Sequence, residues 1–158
     1  MRGIGRDAMK LELRWLNCLW LMVPLLAWNI ILAPKITLEK IVSDSNSPPW
    51  LLVAENITRI IVFAFPLILP LRLQGTISKT GLAVYIIGTL IYFVTWIPLI
   101  WMPASPWSQS AVGLLAPRLT PLLPFLGIAL GGHSAPYAGF STLFITLHTW
   151  HGIQNLTP

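Results

Sequence analysis

Residues 81–102 read GLAVYIIGTLIYFVTWIPLIWM, from Gly81 to Met102, without one charged side chain. At about 1.5 Å per residue such a helix is on the order of 30 Å long, the thickness of a bilayer's hydrocarbon core. The stretch therefore reads as a membrane-spanning helix. Four further apolar runs flank it, Leu13 to Ala33, Trp50 to Leu71, Ala111 to Leu130 and Ala135 to Gln154. The predicted fold is all-α: a polytopic membrane helix bundle with five transmembrane helices, at about 13–33, 50–71, 81–102, 111–130 and 135–154, forming a single transmembrane domain over residues 1–158.

Composition agrees with this reading. Of 158 residues 55% are hydrophobic and 9% charged, whereas a soluble domain carries about 25% charged residues to wet its surface. The formal charge of +5 raises nucleic acid as a partner. Its placement argues for no nucleic acid: Arg2, Arg6 and Lys10 precede the first run, Arg14 stands at its very start, and Arg72 and Lys79 share one short connection. That is the asymmetry of the positive-inside rule rather than a basic face on a soluble fold. The single cysteine, Cys18, rules out an intramolecular disulfide.

The first run follows a basic segment, as a signal peptide would, but it is too long for a signal h-region and lacks an Ala-x-Ala site, so an anchored helix is expected. Ser43-Asp44-Ser45-Asn46-Ser47-Pro48-Pro49 is loop composition. The second run holds Glu55, Asn56 and Arg59 in its first half and Pro66 and Pro70 in its second. The fourth holds Arg118 and three prolines, Pro117, Pro121 and Pro124. Each interior proline removes a backbone donor and crowds the preceding turn, so the fourth helix is predicted to be kinked or broken. Gly131-Gly132-His133-Ser134 makes the turn into the fifth.

With the N-terminus cytoplasmic, the inner side carries Arg2, Arg6, Lys10, Arg14, Arg72 and Lys79, and the outer side only Lys35 and Lys40. The bias predicts an integral membrane protein with its N-terminus in the cytoplasm and its C-terminus on the opposite face.

Charges inside the membrane cost on the order of 2.5–3.5 kcal/mol each by insertion scales and normally face the protein interior. This chain places three within its runs: Glu55, Arg59 and Arg118. On the topology above, Glu55 and Arg59 lie roughly 7 and 13 Å below the outer surface and Arg118 about 10 Å below it. His148 and His151 fall in the same outer third, with Asn29 and Thr95 at similar depth. Glu55 and Arg59 are i,i+4, and His148 and His151 are i,i+3 with Ser141 and Asn155 on their stripe. Tyr85, Thr89, Tyr92 and Trp96 give the third helix a polar-aromatic face toward the bundle. The candidate ligand-binding set is Glu55, Asn56, Arg59, Arg118, His148 and His151. Plain structural roles stand beside it: an intrahelical ion pair for Glu55 and Arg59, an arginine reaching headgroups for Arg118, and interfacial histidines.

Two arginines against one glutamate make the set net positive, and arginine's planar fork suits carboxylate or phosphate. The expected partner is a membrane lipid or amphipathic small molecule: a lipid headgroup, an isoprenoid phosphate or a carboxylate. Trp28, Trp50, Trp96, Trp101, Trp107 and Trp150 crowd the outer end, against Trp15 and Trp20 at the inner, compatible with a lined entrance. His148-Thr-Trp-His151 with Glu55 is a thin zinc pattern, and Arg59 and Arg118 would repel a cation, so no metal and no cofactor is expected. No Gly-x-Ser-x-Gly elbow and no phosphate-cradling glycine loop is present, which leaves open whether the protein is an enzyme. Pro48-Pro49-Trp50 is loosely similar to the translocator family, and His133-Ser-Ala-Pro136-Tyr137-Ala-Gly139 to membrane isoprenylcysteine-type methyltransferases. Glu55, Arg59 and Arg118 have no place in the first pattern, and the second lacks its arginine and its spacing, so neither family's ligand is carried over. The expected function is binding of, or action on, an anionic amphiphile at a buried polar pocket in the outer third of the bilayer. The alternatives are a small proton-coupled transporter and a structural subunit of a larger membrane complex, and assembly into a homo-oligomer is left open.

Overall fold

The computed structural model describes residues 17–35 and 47–156. The beginning of the first expected helix, the basic residues before it and most of the first connection lie outside the described residues. All regular structure among those described is helical: α1 (Leu19–Leu32), α2 (Pro49–Ala64), α3 (Thr76–Trp101), the single turn α4 (Pro106–Gln109), α5 (Ala111–Leu119), α6 (Leu122–Gly131) and α7 (Ala135–Gln154).

Local chemistry sets the boundaries. Asn17 Oδ1 accepts from Leu19 N at 3.1 Å at the head of α1. Ser110 Oγ caps α5 through Gly113 N at 3.0 Å, and Ser134 Oγ caps α7 through Tyr137 N at 3.2 Å, each satisfying a helix-end donor that has no intrahelical acceptor. The second apolar run stops being α-helical earlier than its hydropathy suggests: α2 ends at Ala64 and Phe65–Leu67 tighten into a 3-10 turn around Pro66. The third begins earlier, at Thr76 after Gly75 at φ 89°, because polar Ser78 and Lys79 can continue a helix past the apolar boundary. In the fourth run, helix is interrupted at Thr120 and Pro121, between α5 and α6; Pro117 lies inside α5 and Pro124 in the first turn of α6.

Three segments are long and apolar enough to cross a membrane: Pro49–Leu67, Thr76–Trp101 and Ala111–Gly131. In all three, most of the apolar surface faces outward. Ile60, Ile87 and Leu90 are 68%, 58% and 59% exposed, an arrangement suited to lipid and unsuited to water. α1 is apolar but has 14 described residues. α7 has 20 residues, yet its serine, threonine and histidine side chains dilute its hydropathy.

α7 packs against α2, α5 and α6, while α3 lies along α5 and α6. α1 is pinned by tyrosines: Tyr85 OH donates to Leu21 O at 2.7 Å and Tyr137 OH lies 3.8 Å from Met22 Sδ. The α3–α6 contact is a glycine seam. A Cβ on Gly81 would fall 2.7 Å from Gly131 N, one on Gly88 2.6 Å from Leu123 Cβ, and one on Gly127 2.5 Å from Tyr85 N. Lipid gives no hydrophobic drive to helix association, so close backbone approach across small residues supplies the van der Waals contact. Gly127-Ile-Ala-Leu-Gly131 is a Gly-x-x-x-Gly pattern that the reading of the sequence had passed over.

The chain reverses between α6 and α7 through His133, held at φ 52°. Left-handed backbone at a residue with a Cβ costs about 1–2 kcal/mol. Two contacts offset it: Ser134 N donates back to Ala129 O at 2.9 Å, and His133 Nε2 meets the buried Ser78 Oγ at 2.9 Å.

Candidate functional site

α2 and α7 run antiparallel, and their register is fixed from end to end. Ser47 Oγ lies 3.5 Å from Asn155 Oδ1, Trp50 meets Trp150 edge-on at 5.7 Å, and Phe63 meets Phe144 at 6.3 Å. The buried stripe of α2 is Leu51, Glu55, Thr58 and Val62, spaced i, i+4, i+7, i+11, and that of α7 includes Ser141, Phe144, His151 and Gly152. Glu55 therefore stands on the apolar face of its own helix and points at α7.

Glu55 is 2% exposed, and an isolated ion there would carry a penalty of several kcal/mol. The neighbours distribute that charge. Oε1 accepts from Arg59 one turn along α2 and from His148 Nδ1 at 2.9 Å. Oε2 faces His151 Nδ1 at 2.7 Å. An ionised carboxylate only accepts, so both Nδ1 atoms carry their protons and both Nε2 atoms face outward from the carboxylate. His148 also stacks on Phe144, ring centroids 5.5 Å apart and 19° between planes, and the Arg59 guanidinium lies 5.9 Å from the same Phe144 ring.

Arg118 reaches α7 from α5. It packs on Gly152, where a Cβ would fall 2.5 Å from Arg118 Cδ and 2.9 Å from its Nε. Both arginines are close enough to His148 to act on its charge. Four of the six candidate residues thus meet at one carboxylate, with Arg59, His148 and His151 on Glu55, and Arg118 is adjacent to them. Asn56 differs: it is exposed, and its Oδ1 accepts from Arg59 Nη1 at 3.1 Å at the rim. Arg59 is the partly open member, its side chain 41% exposed against 3% for Glu55.

Other polar residues of similar expected depth form a separate set. Tyr92 OH donates to Asn29 Oδ1, and Thr95 Oγ1 donates to Tyr92 O at 2.7 Å and lies 3.4 Å from Thr120 Oγ1, beside the break between α5 and α6. Three tryptophans of this set make ring contacts: Trp28 stacks on Phe93 at 4.4 Å, Trp96 meets Tyr92 edge-on, and Trp101 lies under Lys35 Nζ at 5.0 Å. His133 lies at the other end of α7, with Ser78. Two contributors escaped the reading of the sequence. Phe144 is one turn before His148, and Gly152 is one turn after it; the i,i+4 spacing from His148 is the signal that could have found both.

No protein-family model matches the chain, and comparison with curated proteins and with solved structures gives no match either.

Proposed function

We propose that this protein spans the membrane five times, N-terminus cytoplasmic, and binds an anionic amphiphile at the outer end of the α2–α7 seam. The observation that carries the reading is Arg59: a buried carboxylate fixes one edge of a guanidinium whose side chain stays 41% exposed. A guanidinium has five N–H donors, and Glu55 and Asn56 take one each. The remaining donors lie near the flank of α2, where exposed Ile57 and Ile60 would meet lipid tails. Preorganised arginine beside apolar surface fits a phosphate or carboxylate with an attached hydrocarbon chain. Arg118, seated on Gly152, places a second guanidinium beside the cluster.

On this reading Glu55 orients Arg59 rather than touching ligand, and the interruption at Thr120-Pro121 lets the fourth span bend around the site. The buried Glu55–His148–His151 group also favours a second reading, proton coupling, because ionisable clusters inside membranes serve as relays. The first is preferred because the buried polar side chains that continue from the cluster along α7 are the hydroxyls of Ser141 and Tyr137, with no carboxylate or imidazole between His148 and the helix start.

The test is lipid selectivity in nanodiscs. Brominated phosphatidylglycerol should quench tryptophan more strongly than brominated phosphatidylcholine, and Arg59→Gln should remove the difference. Farnesyl phosphate and oleate, added as competitors, separate phosphate from carboxylate recognition. Equal quenching by both lipids in the unmodified protein would refute anion binding.

A further inference from the structure

Arg59 leaves α2 and reaches toward α7, and its contacts divide by chemistry. Its hydrogen bonds stay on its own helix, where Glu55 and Asn56, one turn back, accept from the guanidinium. Its contact across the seam is a ring. Arg59 Cζ lies over Phe144 of α7, 5.9 Å from the centroid, within the distance at which an aromatic face attracts a cation. With its side chain 41% exposed, Arg59 has room to turn outward along the flank of α2. Exposed Asn56 can follow such a turn. Glu55 and Phe144 resist it.

These two restraints act differently. A carboxylate takes up N–H donors, the same donors an anion needs. A ring face attracts the cation through its quadrupole and takes up none. Guanidinium is planar and weakly hydrated, so a ring against its face leaves its edges available for hydrogen bonds. Phe144 is itself held in place. It is 5% exposed, and Phe63 of α2 and Phe125 of α6 each lie 6.3 Å away, at 61° and 46° to its plane. A ring wedged among three helices makes a rigid floor for a long side chain.

We propose that Phe144 is a positioning residue of the anion site: its face holds the Arg59 guanidinium across the α2–α7 seam without occupying its donors. This rests on the anion reading above. Where the ring's attraction is lost, a smaller fraction of the protein keeps the guanidinium in place, and the apparent dissociation constant rises in inverse proportion to that fraction. An attraction of the size usual for a partly exposed cation over a ring corresponds to about threefold to fivefold in affinity.

The test replaces Phe144 in the full chain by phenylalanines carrying one, two and three fluorines. Fluorine draws electron density from the ring face and adds little volume, so packing against Phe63 and Phe125 is kept. Selectivity for phosphatidylglycerol over phosphatidylcholine in nanodiscs, at constant pH, should fall stepwise with fluorine number, by about threefold to fivefold at three fluorines. The melting temperature should stay level across the series. Phe144→Leu should show the whole loss in one step, and Phe144→Tyr, which keeps a ring, should retain selectivity. If Phe144→Leu does not fold, the fluorinated series decides alone. Selectivity independent of fluorine number overturns the role of Phe144 and leaves anion binding at Arg59 standing. Selectivity that falls only together with the melting temperature reduces Phe144 to packing and overturns the role as well. Absence of selectivity in the unmodified protein overturns both readings.

Discussion

His151 Nδ1 lies 2.7 Å from Glu55 Oε2, across 96 residues of chain. The contact joins the antiparallel helices α2 and α7 and fixes their register where a buried carboxylate would otherwise be stranded. Glu55→Gln keeps the shape but removes the charge and half of the acceptor capacity. Breaking one partner of a buried ionic group costs about 3–5 kcal/mol. Unfolding of the variant in bicelles should show a loss of that order, and a change under about 1 kcal/mol would mean that the group contributes little to the fold.

The glycine seam makes a sharper comparison. Gly127→Ala would drive a methyl to 2.5 Å from Tyr85 N and 2.6 Å from Tyr85 Cα, backbone atoms that cannot swing away. At Gly131 the nearest atom is Leu71 Cδ1 at 3.8 Å, an ordinary contact. Overpacking costs about 1–3 kcal/mol. Gly127→Ala should lower the melting temperature clearly and Gly131→Ala hardly at all; the reverse order would contradict the α3–α6 packing.

Gly152→Ala meets a side chain instead, Arg118, whose Cδ lies 2.5 Å from the new methyl. The long arginine can rotate aside, so stability should fall by less than about 1 kcal/mol. Phosphatidylglycerol selectivity should fall further than stability does, since Arg118 loses its seat on Gly152. Unchanged selectivity would remove Arg118 from the proposed site.

Tyr85→Phe and Tyr92→Phe each delete one interhelical hydrogen bond, to Leu21 O and Asn29 Oδ1 respectively. Bonds of this kind within membranes average about 0.6 kcal/mol. Each variant should be destabilised by about that amount, measured by unfolding in bicelles, and the two losses should add, because the tyrosines share no hydrogen-bond partner.

Topology is checked independently of the site. A reporter active only outside the cytoplasm should be active when fused after Pro158 and inactive at the Arg72–Lys79 connection. Activity at the connection would invert the orientation.

The sequence by itself determined the class. Long uncharged runs such as 81–102 have no stable place in water, and that depends only on composition and length. It also determined that Glu55 should share a face with Arg59, and His148 with His151, because helical spacing alone puts them there. Hydropathy could not determine where each helix stops: it reports preference for lipid, whereas the ends at Ala64 and Thr76 follow from Pro66 and from Gly75 at φ 89°. Nor could spacing within a helix say which helices meet. Pairing α2 with α7 across some 96 residues is a property of packing, decided by how Phe63 meets Phe144 and how Trp50 meets Trp150. That pairing turned two separate polar stripes into one group, pointed Asn56 outward, and seated Arg118 on Gly152. A residue without a side chain leaves no chemical signature in a sequence; its role here lies in the space it leaves for an arginine from another helix.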